Sequence, residues 1–200
     1  MSVPTIGILG GVGSGKSSVV RHVTNFDLQV IDADKIGHDL LEDPDVLQQL
    51  TQTFPTSIFE SSGQVIRPQL AQLVFGKDLE HKAALKQLEQ IIHPAIHREI
   101  TDQIQNASTD VVILDAALLL ETGWADECNY LIYIDTPVSQ RIERVRMNRN
   151  WTAEELKHRE STQLPLTTKK GLADFIVDNS GTIRDASRQL TDILTTLIKN

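Results

Sequence analysis

The chain has 200 residues, 40% of them hydrophobic and 23% charged, with a formal net charge of −8. These values suit one ordinary domain with a sizeable core, give no sign of disorder, and speak against a non-specific nucleic-acid or anionic-membrane surface. One cysteine, Cys128, allows no intrachain disulfide, so a reducing compartment and a small packed side chain are expected.

The first residues lack the basic start and apolar stretch of a signal peptide, and no run reaches the roughly 18 apolar residues of a bilayer span. A cytoplasmic location is expected. Thr5–Leu9 is a short apolar run ending in glycines and reads as a buried strand. A helix follows from Lys16 through Val23. Gln29–Ile31 is a second strand, ending at Asp32. Asp34–Leu41 reads as a helix, and Pro44–Thr53 as another with proline in its first turn. Phe54–Ile66, with Pro55 and Gly63, reads as a loop or hairpin. Arg67–Phe75, Leu79–Ile92 and Ala95–Ile104 read as helices, with Pro94 separating the last two. Asp110–Asp115 and Tyr130–Ile134 are strands apolar on both faces, the second followed by Asp135. Pro137–Met147 is an arginine-rich helix. Thr152 and Glu155 form a capping box for the next helix. Phe175–Val177 is the last strand. Thr182–Ile198 is an amphipathic helix with Ile183, Ala186, Leu190, Ile193, Leu194 and Leu197 on one face.

Nearly uninterrupted apolar strands alternating with helices give an α/β fold, a parallel five-stranded sheet covered by helices on both faces. The stretch between the second and third strands is long for a crossover and is expected to form a helical lobe. The arginine-rich stretch after the fourth strand is a candidate mobile segment. There is no internal repeat.

Gly10-Gly11-Val12-Gly13-Ser14-Gly15-Lys16-Ser17 matches the P-loop pattern G-x-x-x-x-G-K-[ST]. Its glycines let successive N–H groups turn inward on phosphate oxygens. Lys16 is expected on the β and γ phosphates, and the Ser17 hydroxyl is placed to ligate Mg²⁺. The cradle then comprises Gly11, Val12, Gly13, Ser14, Gly15, Lys16, Ser17 and Ser18. Asp32, Asp34, Asp115 and Asp135 follow strand ends and should gather on the phosphate side. No Asn-Lys-x-Asp base-reading motif of a GTPase switch is present. A kinase for a nucleoside, nucleotide or small sugar acid, and a non-catalytic nucleotide switch, both remain open at this point.

The order of further segments narrows the choice. Gly7–Ser17, Asp32-Ala33-Asp34-Lys35-Ile36-Gly37-His38, the Gly63, Arg67 and Leu70-Ala71 set, Leu88–Pro94 with its His93-Pro94 junction, Leu118–Glu121, Arg159 with Gln163, and Ala173–Gly181 occur in series. The series covers nearly the whole chain and resembles the dephospho-coenzyme A kinase family. Leu9 stands where that family usually has threonine, Pro55 for its usual glycine, and Ala117 for its proline before the double leucine. The resemblance implies a three-layer P-loop kinase fold. Its core would span about 1–40, 108–140 and 172–200, its helical acceptor-binding insertion about 41–107, and its lid about 141–171. It also implies ATP-dependent, Mg²⁺-assisted phosphorylation of the ribose 3′-hydroxyl of dephospho-coenzyme A, the final step of coenzyme A synthesis. Neither nucleic acid nor membrane is expected as a partner, and the protein should be a monomer or small homo-oligomer. By position, Asp34 is the base or hydroxyl-orienting carboxylate, with Asp32 second. Lys16 serves the transferring phosphate. Of Arg141, Arg144, Arg146 and Arg149, the pair Arg144 and Arg149 is expected to clamp it and the others to face solvent. Asn179 is expected at the nucleotide base. Asp32, Asp34, His38, Arg67, His93, Leu119 and Glu121 are expected around the acceptor.

Overall fold

The computed structural model describes residues 3–76 and 78–198. Five strands, β1 (Thr5–Leu9), β2 (Leu28–Asp32), β3 (Val111–Asp115), β4 (Tyr130–Asp135) and β5 (Phe175–Asp178), form one parallel sheet in the order β2-β3-β1-β4-β5. The expected α/β class and five-stranded parallel sheet are thus observed. Parallel strands are buried on both sides, which is why β1 and most of β3 carry no polar alternation.

One face of the sheet presents Ile6, Ile8, Val111, Ile113, Ile132 and Ile134 to the helices α1 (Lys16–Arg21) and α9 (Ile183–Ile198). All six apolar positions read on the last helix, from Ile183 to Leu197, join this cluster. On the other face Gly7 leaves room for Leu119 and Cys128; a Cβ on Gly7 would stand 2.6 Å from Leu119 Cδ2 and 2.9 Å from Cys128 Sγ. Cys128 is therefore a packed residue, and burial pushes its thiol up to about 12.

By internal packing the chain divides into two units, residues up to Asp32 with those from Gln103 onward, and Ala33–Asp102. The second holds the helices α2 (Ala33–Asp39), α3 (Pro44–Thr53), α4 (Arg67–Val74) and most of α5 (Leu79–Gln105). Its core gathers Leu41, Val46, Leu50, Phe54, Ile58, Leu70, Val74 and Ala95. Asp43 caps α3 by accepting from the N–H groups of Asp45 and Val46 at 3.0 and 3.1 Å. Between α3 and α4, where a loop or hairpin was expected, an isolated antiparallel bridge from Phe59 to Val65 makes a small hairpin. Pro94 does not separate two helices: it lies inside α5. A proline in a helix interior costs about 3 kcal/mol. Apolar burial offsets it on both sides, Leu85, Leu88, Ile91 and Ile92 before the proline and Ala95 just after it packing into the same core.

The segment expected as a lid contains the end of α6 (Val138–Arg149), all of α7 (Ala153–Glu160) and α8 (Leu166–Gly171). By its packing it belongs to the same unit as the sheet. The capping box of α7 is present: Glu155 N–H donates to Thr152 Oγ1 at 3.2 Å and Thr152 N–H to Glu155 Oε2 at 2.6 Å.

Candidate active site

The site lies at the carboxyl edge of the sheet. There β1 leads to β2 on one side, while neighbouring β3 leads across to β4 on the other. Adjacent parallel strands whose connections leave in opposite directions open a crevice between them. The loop after β1 is Gly10–Gly15. It turns tightly, with Ser14 N–H donating to the Gly11 carbonyl at 3.0 Å, and delivers Gly15 in the left-handed region (φ 84°) as the cap of α1. Among the described residues the N–H groups of Gly13, Gly15, Lys16 and Ser17 meet no acceptor. A row of such donors suits an anionic ligand.

The glycines also admit close neighbours. A Cβ on Gly13 would stand 2.8 Å from Val145 Cγ1 and 3.0 Å from the Arg141 carbonyl, so α6 packs directly on the loop. One on Gly11 would meet Arg141 Nη1 at 2.7 Å and Glu160 Oε1 at 2.9 Å. Arg141, expected to face solvent, is instead buried. Its guanidinium pairs with Glu160 and reaches the carbonyls of Val12 and Thr136, each at 3.3 Å. Glu160 in turn accepts the Val12 N–H at 3.0 Å. A charge that leaves water needs this much partnering. Nothing in the sequence pairs residues 141 and 160.

A cleft of about 580 Å³ is lined by Gly13–Ser18 together with Arg21, His22, Arg144, Val145, Asn148, Arg149 and Ile183. Arg144 and Arg149 are therefore placed at the cradle. Arg144 donates to the Ser14 carbonyl at 3.0 Å, and the Arg149 guanidinium lies 4.8 Å from the centre of the Trp151 ring, which Arg159 also covers at 4.0 Å. The indole serves two guanidiniums. Trp124 is buried in a short 3-10 turn. Arg21, His22 and Asn148 were not read as cleft residues from the sequence, where helix-surface positions carry no pattern of their own, and Ile183 was read only as part of the apolar face of the last helix.

Across the crevice Ser17 Oγ donates to Asp115 Oδ2 at 2.8 Å. Asp115 ends β3 and stands in register with Asp32 at the end of β2. No three acidic, histidine or cysteine side chains gather as a metal cage among the described residues. Magnesium characteristically takes one or two carboxylates along with substrate phosphates and water. One hydroxyl beside one carboxylate at the cradle fits that requirement.

Asp34 sits exposed in the first turn of α2, two residues beyond the end of β2. In the helical unit the Arg67 guanidinium donates to the His38 carbonyl and to Glu42, each at 3.1 Å. His38 is exposed and His93 half-buried within α5. Leu119 is fully buried against Gly7. Glu121 accepts the Leu164 N–H at 2.7 Å and Lys169 Nζ at 2.9 Å. Burial raises its carboxyl, but the Leu164 N–H and the Lys169 ammonium outweigh burial and hold it below the usual glutamate range. Lys169 is itself buried and fully partnered, by Glu121, Gln163 Oε1 and the Ala117 carbonyl. Asp135 is engaged by Lys170 at 2.7 Å, which raises the lysine. Asn179 is fully buried, and its amide donates to the Ser14 carbonyl at 2.7 Å, so it supports the cradle from behind.

The family model described as dephospho-CoA kinase matches residues 4–185. The chain belongs to the dephospho-CoA kinase family. Relatives of that name from Corynebacterium diphtheriae and Shouchella clausii are 36% and 34% identical, over 92% of this chain and 92% of the first and 94% of this chain and 96% of the second. The solved dephospho-CoA kinase of Campylobacter jejuni shares the fold, with a TM-score of 0.70 at 23% identity over 98% of this chain and 97% of its own. The family is one of ATP-dependent kinases, and its activity, phosphorylation of dephospho-CoA in the final step of coenzyme A synthesis, is the activity of this chain. No helix among the described residues is long and apolar enough to cross a membrane.

Proposed function

We propose that the chain transfers the γ phosphate of ATP to the ribose 3′-hydroxyl of dephospho-coenzyme A, with Asp34 as the residue that orients the hydroxyl and takes its proton. The observation that carries the reading is the set of N–H donors on Gly13, Gly15, Lys16 and Ser17, closed by the Ser17–Asp115 hydrogen bond. Phosphoryl transfer asks little covalent chemistry of a protein; it asks for alignment and for positive charge where negative charge accumulates. The loop amides hold the β phosphate. Lys16, half-exposed at the start of α1, neutralises the β–γ bridge. Arg144 and Arg149, both lining the cleft, steady the equatorial oxygens as the γ group moves. Ser17 and Asp115 would hold Mg²⁺. When bound, that ion offsets charge on the β and γ phosphates.

Asp34 accepts the hydroxyl proton late, so the hydroxyl keeps its hydrogen bond while its oxygen points in line with the phosphorus. Asp32, the last residue of β2, is the other candidate. The remaining acceptor-side candidates, His38, Arg67 and His93, all belong to the helical unit, which favours that unit as the holder of the acceptor. Leu119 and Glu121 belong to the sheet unit and act on the acceptor only through the shape of the loop they brace. The single cysteine supports a cytoplasmic setting.

The test is to incubate the chain with ATP and Mg²⁺, offering dephospho-coenzyme A in one arm and free nucleosides in another. Turnover of dephospho-coenzyme A is expected. Turnover of a nucleoside in its place would overturn the reading.

A further inference from the structure

The Ser14 carbonyl accepts from three side chains: Asn179 Nδ2 at 2.7 Å, Thr136 Oγ1 at 2.8 Å and Arg144 Nη1 at 3.0 Å. A carbonyl oxygen offers two lone pairs. Thr136 is 6% exposed and Asn179 is completely enclosed, while Arg144 borders the cleft. The two neutral buried donors therefore suffice for the carbonyl, and the charged one is the surplus. Thr136 comes from the turn after β4 and Asn179 from the turn after β5, two fixed points of the sheet.

A trans peptide is planar, with its C=O and N–H opposed. Whatever holds the Ser14 carbonyl thus aims the Gly15 N–H the opposite way. That N–H meets no acceptor among the described residues. The fit around it is close: a Cβ on Gly15 would stand 3.0 Å from Arg144 Nη1 and 3.1 Å from Asn179 Nδ2.

We propose that Thr136 and Asn179 are positioning residues for the nucleotide. They hold the Ser14–Gly15 peptide with its N–H toward the phosphates. By satisfying the carbonyl, they also let Arg144 leave Ser14 for a phosphate oxygen without stranding a buried acceptor. This rests on the reading of Gly10–Ser17 as the ATP cradle.

The experiment measures ATP binding with Mg²⁺ by calorimetry on the full chain without acceptor, for wild type, T136V, T136S, R144M and the T136V/R144M double variant, with thermal unfolding alongside. T136V should weaken ATP about tenfold, the scale of one buried hydrogen bond lost. T136S should bind within about twofold of wild type, and T136V should leave the KM for dephospho-coenzyme A unchanged. If T136V does not fold, T136A carries the same expectation. Undiminished ATP affinity in T136V, or T136S as weak as T136V, would overturn the proposal. R144M should cost less affinity on the T136V background than on wild type, because Arg144 is then retained at the carbonyl. Equal costs would overturn the release of Arg144. Wild type that binds no ATP would instead overturn the cradle reading, and this proposal with it.

Discussion

In the proposed reaction Asp34 carries the heaviest chemical load of any single side chain outside the cradle. Its substitution by asparagine keeps size and polarity but removes the acceptor for the hydroxyl proton. D34N should bind ATP as wild type does and lose transfer by about 10² to 10⁴-fold, the usual contribution of a positioned base. Single-turnover phosphorylation measured beside ATP calorimetry checks this, and a fully active D34N would move the role to Asp32. At this scale the sequence showed the cradle and the strand-end aspartates, because both follow rules of local spacing. It did not show that Asp115 meets Ser17, since that contact joins the first turn of α1 to the end of β3, far apart in the chain. Nor did it show that Asn179 faces Ser14, or that Glu121 is held internally by Lys169.

Among the elements, α6 differs most from its sequence reading. Counting arginines on α6 suggested a solvated face with two clamps, but helix geometry places Arg141 under the cradle, where Glu160 of α7 meets it. Side chains 7% and 19% exposed make this a largely buried pair. Removing one partner of a buried pair costs about 3 kcal/mol or more. R141M should therefore lower the melting temperature by about 10 °C, at the 2–4 °C per kcal/mol expected for this chain length. E160Q, which keeps an oxygen for the Val12 N–H, should lose less. Calorimetric melting of the two variants checks the order, and an unchanged Tm in R141M would remove the pair from the list of supports. Other elements were legible: α9 because its apolar period maps directly onto one packed face, and α7 because its capping box is local. Pro94 misled because a proline's cost is local while the burial that offsets it comes from distant contacts along α5.

For the molecule as a whole, parallel strands and the order β2-β3-β1-β4-β5 explain why a phosphate loop, a serine and a strand-end aspartate meet at one edge. The apolar strands made the sheet legible, whereas strand order and the two-unit division depend on crossovers that no short window contains. Lys169 and Glu121 tie α8 to the loop after β3, and they give the fold an acid limb. Glu121 titrates below its unfolded value, so its stabilisation is complete above the ordinary glutamate range and is lost as pH falls through the lowered native value. Denaturant unfolding at pH 7 and near pH 4 should show less acid sensitivity in E121Q than in wild type. Equal acid sensitivity in the two would assign the acid limb to other carboxylates. The transfer itself is tested most directly by phosphorus NMR of a reaction containing the chain, ATP, Mg²⁺ and dephospho-coenzyme A. One new ribose 3′-monophosphate resonance should grow in step with ADP. ADP formed with inorganic phosphate alone, or a phosphate at any other position, would contradict the assigned reaction.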